Sequence, residues 1–227
     1  MNKKLFVTGT GTDVGKTYIT ALMVKKLHGA GLRAAYYKAA MRGNVRRPDG
    51  TLIPGDALCV QQVSGIGQSL ESMCPYVYEH AYSPHLASRL EGNPVRMDVV
   101  KAGFAALEAE YDYITVEGSG GILCPICFDE AKIQLEDVIR ELDAACVIVA
   151  DAGLGTINSV GLTVSYMRAK GIPVRGLIFN HCHPGDVMEE DNLEMCRYFT
   201  GLDILAKVRD DDTELDISPA ALAALYE

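Results

Sequence analysis

Short apolar runs recur along the chain at residues 5–8, 33–37, 113–116, 146–150 and 174–179, with a further run at 204–208. Several are apolar at consecutive positions, the pattern of strands covered on both faces. Between them, residues 16–30, 97–110, 135–142, 156–170 and 187–199 repeat apolar positions at helical spacing. Strands alternating with helices predict an α/β fold, a doubly wound and mostly parallel sheet with helices on both faces. Sheets of this kind take ligands at the carboxyl ends of their strands. Residues 43–55, rich in Pro, Gly and Asp, break the pattern and predict a loop, as do residues 91–94. No repeat, low-complexity tract or linker composition divides the chain, so residues 1–227 are expected to form one domain.

The first strand leads into the strongest chemical signal. Leu5-Phe6-Val7-Thr8 runs into Gly9-Thr10-Gly11-Thr12-Asp13-Val14-Gly15, and Lys16-Thr17 opens a helix. Small residues let backbone N–H groups converge on phosphate oxygens, and the helix N-terminus adds its positive end. Lys16 supplies a cation between β- and γ-phosphates, and the Thr17 hydroxyl suits Mg²⁺. Thr10 stands where the strict pattern of a P-loop NTPase has glycine, so this is a variant phosphate loop. Glu117 ends a central strand and precedes Gly118-Ser119-Gly120-Gly121, the place where magnesium and a γ-phosphate lie. Asp56, at the start of a helix after the long loop, is read either as an N-cap or as a metal ligand. Lys38 follows the second strand and is either a solvated strand-end lysine or a second cation in the phosphate crevice. Two converging cations suit transfer to an anionic acceptor.

Composition narrows the classes. Of 227 residues, 48% are hydrophobic, so the chain can bury a substantial core. The longest apolar run, 144–150, is far shorter than the ~20 residues of a membrane span. Met1-Asn2-Lys3-Lys4 enters the first strand directly, without an apolar leader, and a cytoplasmic location is expected. With 30 acidic and 21 basic residues, a net charge of −9 argues against a nucleic-acid coat. Seven scattered cysteines read as free thiols, and Cys124-Pro125-Ile126-Cys127 without a second matching pair is weak support for a metal or redox site.

Taken together, the glycine–lysine–threonine loop, Tyr37-Lys38, Gly55-Asp56-Ala57-Leu58, Ser83-Pro84-His85, Val116-Glu117-Gly118-Ser119-Gly120-Gly121, Gly155-Thr156-Ile157-Asn158 and Gly176-Leu177-Ile178-Phe179-Asn180 resemble, in order, the dethiobiotin synthetase family. The resemblance spans residues 5–180 and fades after Asn180. It implies an ATP-dependent ligase of biotin biosynthesis that joins CO₂ to 7,8-diaminononanoate and closes a cyclic urea, with ATP and Mg²⁺. It assigns catalysis to Lys16 and Lys38, and the metal to Thr17, Asp56 and Glu117. The nucleotide falls to Asp13, Val14, Gly15, Lys16, Thr17, Tyr18, Asp56, Glu117, Gly118, Ser119, Gly120, Asn180 and His181, with Asn180 offered to the base. Substrate contacts are expected from Thr12, Asp13, Lys38, Arg42, Gly155, Thr156 and Asn158. In the family the 155–158 segment serves the neighbouring subunit's site, which implies a homodimer; His85 is expected to be structural.

The sequence departs from the family at Gly11 and Asp13, where Asp and Glu are usual, and at Val208, where a proline lies near the base. Arg42 stands where the family has a small hydroxyl residue against the diamine. Competing readings are a partitioning or positioning ATPase, an amidotransferase-type ligase and a nucleotide-binding homologue without turnover. The negative charge and the lack of a basic tail speak against the first, and the chain length speaks against the second.

Overall fold

The computed structural model describes residues 3–226. Met1 and Asn2, part of the stretch read for a leader, and Glu227, the end of the expected domain, lie outside them. In chain order the elements are β1 (Lys3–Gly9), α1 (Lys16–Gly29), β2 (Ala34–Tyr37), β3 (Val45–Arg46), β4 (Leu52–Ile53), α2 (Gly55–Ser64), α3 (Leu70–Met73), α4 (Pro84–Leu90) and α5 (Met97–Glu110). They continue as β5 (Tyr113–Gly121), β6 (Pro125–Phe128), β7 (Lys132–Gln134), α6 (Leu135–Glu141), β8 (Ala145–Asp151), α7 (Thr156–Ala169), β9 (Val174–Asn180), α8 (Val187–Thr200), β10 (Ile204–Lys207) and α9 (Pro219–Ala224).

The six strands expected from the apolar runs form one sheet in the order β10-β9-β8-β1-β5-β2, and every neighbouring pair is parallel. The alternation of side chains along a strand divides the core in two. Leu5, Val7 and Tyr36 face a cluster built on α1, α2 and α9, whereas Phe6, Tyr37 and Val116 face one built on α5, α6, α7 and α8. Both faces of the sheet are therefore buried, as the consecutive apolar runs require.

Two expectations are corrected. Residues 43–55 are not wholly loop: Val45 and Arg46 pair antiparallel with Ile53 and Leu52. In this hairpin β3 is exposed and β4 half-buried, and Arg46 ties it to Glu79 outside and to the Gly50 carbonyl of its own turn, so local composition carries no trace of it. Residues 118–121 are also not a loop, because β5 runs through Gly121 beside Gly9 of β1. Gly118 is small for a core reason: a β-carbon there would lie 2.9 Å from Phe6 and 3.0 Å from Leu135.

Candidate active site

The phosphate loop spans the gap between β1 and α1. Gly15 has φ of +84°, and a β-carbon there would sit 2.1 Å from the Asn180 amide nitrogen. Only glycine meets both demands. A Gly15→Ala variant is expected to lose about 1–3 kcal/mol of stability in urea unfolding, from backbone strain and the clash together. Asp13 also lies in the left-handed region, at φ of +61°, a conformation Asp tolerates better than most residues. No side chain caps α1, and its first turn carries no acidic residue. Its leading N–H groups thus face the loop, available to an anion.

Beyond the carboxyl ends of β1, β2 and β5 lies a cleft of about 610 Å³ lined by the loop residues Thr12, Asp13, Gly15, Lys16, Thr17 and Tyr18 together with Lys38, Arg42, Asp56, Cys59, Glu117, Ser119, Gly120 and His181. At its floor Glu117, buried midway along β5, gathers three groups. Its Oε1 accepts from Lys38 Nζ at 2.5 Å and from Thr17 Oγ1 at 2.9 Å, and its Oε2 accepts from the Tyr36 hydroxyl at 2.8 Å. Lys38 Nζ also donates to Asp56 Oδ2 at 2.6 Å. Asp56 is therefore no cap: Pro54 holds the N-cap position of α2, and the Gly55 N–H donates to Asn44 Oδ1 instead. Lys38 is no solvated lysine, since only 8% of its side chain is exposed.

The two lysines have opposite electrostatics. Burial works against the charged form of Lys38, but Glu117 and Asp56 outweigh it and hold the ammonium above the usual lysine range. Among the described residues, Lys16 has only the Gly11 carbonyl as a hydrogen-bond acceptor, at 2.6 Å. Burial, opposed by Glu117 and assisted by Lys38, pushes Lys16 down to about 8. Tyr36 is raised well above the usual tyrosine range, by burial first and then by Glu117 and Asp56, so its hydroxyl stays a donor.

The thirteen nucleotide positions do not all share this cleft. Val14 packs into the core, and its carbonyl accepts from Asn180 Nδ2 at 3.3 Å. This bond takes one of the two Asn180 amide protons. His181 reaches the cleft and pairs through Nδ1 with Asp210 at 2.5 Å. Gly155 and Thr156 line a separate hollow of about 330 Å³ on the other side of the loop, with Thr10, Gly11 and Val14. The Thr156 hydroxyl there is buried without a hydrogen-bond partner among the described residues, and Asn158 lines neither cavity. Arg42 enters the cleft wall and donates to the Ala81 carbonyl at 3.4 Å. His85 is turned to Ser83 Oγ at 2.9 Å, away from the cleft. All seven cysteines are free; Cys127 is buried on β6, and Cys124 packs by Gly120 with its thiol pushed up by burial.

Tyr36 and Asp210 are contacts that the sequence did not flag. Tyr36 was hidden in an apolar strand, although period two places it on the same face as Lys38.

An AAA domain family profile matches residues 3–213. The chain is 45% identical to the ATP-dependent dethiobiotin synthetase BioD of Brachyspira hyodysenteriae, over 95% of this chain and 96% of that protein. It is 42% identical to the protein of the same name from Clostridium perfringens, over 92% and 91%, and 39% identical to that of Clostridium botulinum, over 100% and 99%. The likeness thus continues past Asn180 to the end of the chain. Among solved structures, a ParA family ATPase from Chlorobium tepidum aligns with a TM-score of 0.57 at 12% identity, covering 93% of this chain and 86% of that one. The MinC:MinD complex of Aquifex aeolicus aligns at 0.58, also at 12%, covering 99% and 94%; both likenesses concern the fold alone. With 39–45% identity sustained over more than nine-tenths of each chain, this chain belongs to the dethiobiotin synthetase family.

Proposed function

We infer that this chain is an ATP-dependent dethiobiotin synthetase, carboxylating 7,8-diaminononanoate with CO₂ and closing the cyclic urea with release of ADP and phosphate. The observation that carries this is the gathering of Lys16, Thr17, Lys38, Asp56 and Glu117 in one cleft, in a chain 45% identical to a synthetase. One amine of the substrate captures CO₂ as a carbamate. A carbamate oxygen attacks the γ-phosphorus, and ADP departs. The neighbouring amine then attacks the mixed-anhydride carbon, expelling phosphate and closing the ring. During phosphoryl transfer negative charge is spread over the equatorial oxygens and the leaving oxygen, so its stabilisation by fixed cations is the main task of the protein.

Lys16 takes the phosphate side of that charge, held over the loop by the Gly11 carbonyl. Lys38 takes the carbamate side. Thr17, Asp56 and Glu117 offer a hydroxyl and two carboxylates, the hard oxygen donors that suit Mg²⁺, and these three would hold it. When bound, the ion neutralises phosphate charge and orients the leaving group. The nucleotide is proposed to lie along Gly15–Tyr18 with its base toward Asn180 and His181. Thr12 and Asp13 border the substrate side.

Two features support a homodimer with shared sites. Gly155 and Thr156 line a hollow separate from the cleft of their own chain, and the buried Thr156 hydroxyl has no partner among the described residues. The N-terminus of α7 would then receive the substrate carboxylate of the adjoining subunit, with Asn158 on the same turn.

Phosphate release from ATP, measured with and without the diamine and bicarbonate, tests the reaction. Release that needs both supports the synthetase; release indifferent to the diamine overturns it. Arg42 bears on affinity. A guanidinium in the cleft wall repels an ammonium-bearing substrate by about 1 kcal/mol at a partly solvated site. Arg42→Ser is therefore expected to lower the diamine KM by about fivefold, and equal KM values would remove Arg42 from substrate binding.

A further inference from the structure

β2 is the edge strand of the sheet, so one side of its backbone lacks a strand partner. At Tyr36 a buried side chain stands in for that strand. Gln68 Oε1 accepts from the Tyr36 N–H at 2.8 Å, and Gln68 Nε2 donates to the Tyr36 carbonyl at 2.9 Å. Gln68 is 2% exposed and Tyr36 fully buried. A single amide side chain thus clamps one residue of an edge strand at both backbone groups. The clamped residue is the one whose hydroxyl reaches across to Glu117 Oε2.

A carboxylate with both oxygens free to rotate presents either to a neighbour. Here Oε2 is held by a hydroxyl on a rigid aromatic stem, which leaves Oε1 directed at Thr17 and Lys38. Burying a phenol beside two carboxylates is costly unless its donor is used, and the bond to Glu117 uses it. Phenylalanine would fill the same core space without this bond, so the packing of β2 against α1 does not by itself call for tyrosine.

We propose that Tyr36 is a positioning residue for metal-ion binding: its hydroxyl, set by the Gln68 clamp on β2, orients Glu117 so that one carboxylate oxygen is turned to the ion held with Thr17 and Asp56. This rests on the reading of Glu117 as a metal ligand. Groups that orient a ligand rather than touch the ion commonly contribute 10- to 100-fold in affinity.

The test titrates Mn²⁺, as a spectroscopic stand-in for Mg²⁺, into the full chain saturated with a non-hydrolysable ATP analogue and reads free ion by electron paramagnetic resonance. Tyr36→Phe is expected to weaken Mn²⁺ binding by about tenfold, leaving the diamine KM at saturating ion unchanged. Gln68→Met, which keeps the hydroxyl but releases the strand, is expected to weaken it in the same direction, and it decides the matter if Tyr36→Phe does not fold. Glu117→Gln is the control and should weaken binding more than either. If Glu117→Gln loses the ion while Tyr36→Phe and Gln68→Met bind it as the parent does, Tyr36 has no positioning role. If Glu117→Gln itself binds the ion as the parent does, the reading of Glu117 as a ligand fails, and the proposal with it.

Discussion

A Lys38→Met variant is expected to lose about 10²- to 10³-fold in kcat, the size of effect seen when one preorganised charge-stabilising donor is removed. Methionine keeps most of the stem volume, so the loss isolates the ammonium. Stability should fall as well. Lys38 joins Asp56 and Glu117, and without it Glu117, whose side chain is 1% exposed, keeps the hydrogen bonds from Thr17 and Tyr36 but no cation on Oε1 among the described residues. Stripping one partner from a buried pair costs about 3–5 kcal/mol, and the lower end applies because the Asp56 side chain is 36% exposed. The same carboxylates are the proposed ligands of Mg²⁺, so the ammonium and the ion compete for one pair of oxygens. Mg²⁺ should therefore raise the Tm of Lys38→Met more than that of the parent protein. Thermal melts with and without Mg²⁺ check this. A variant whose melting ignores Mg²⁺, and whose kcat falls less than about tenfold, would remove Lys38 from the site.

The sheet was legible because burial on both faces leaves its mark on every residue of a strand. The run at 146–150 needed no partner to be read, and β8 occupies Ala145–Asp151. What escaped is held by tertiary contacts. The β3–β4 hairpin depends on Glu79, far along the chain from Arg46. The β6–β7 hairpin pairs Cys127 with Ile133, and the Cys124–Cys127 spacing, weak support for a metal site, carried no strand signal. α9 begins at Pro219 with Ser218 accepting from the Ala221 N–H, a cap the sequence contained but its short apolar pattern did not advertise.

Within the site, the cations and carboxylates were legible because each follows or interrupts an apolar strand or opens a helix next to glycine. Lys16, Lys38, Asp56 and Glu117 share the cleft they were expected to share. Tyr36 was not legible, because an aromatic residue in a buried strand is ordinary core until its hydroxyl is seen on Glu117. Asn180 carries a contact of the same kind: beside the role expected at the base, one of its two amide protons supports the Val14 carbonyl, a pairing of residues far apart in the chain.

Nucleotide affinity is expected to fall steeply above pH 8. Lys16 in the free protein titrates near 8, against 10.5 for an unperturbed lysine. Below that value it is already charged, and the polyphosphate meets a cation. Above it, the free protein holds a neutral amine that must take up a proton when the phosphates arrive, because their charge restores the ammonium. Each pH unit then weakens binding by up to tenfold, or about 1.4 kcal/mol, until the pKa of the complex is reached. Between pH 7.5 and 9.5 the dissociation constant for ADP should rise about 20-fold. Neighbouring groups do not blur the window, since burial pushes the thiols of Cys59 and Cys124 above their ordinary range and Lys38 is held above the lysine range. Unliganded protein should move the other way. The unfolded chain keeps the Lys16 proton up to 10.5 while the folded chain releases it near 8, so stability rises with pH between those values. Calorimetric titration of ADP across the range, in buffers of different ionisation heat, reads both the affinity and the proton taken up. Lys16→Met should bind weakly and with no slope above pH 8, whereas a slope of equal size in that variant would assign the titration to another group.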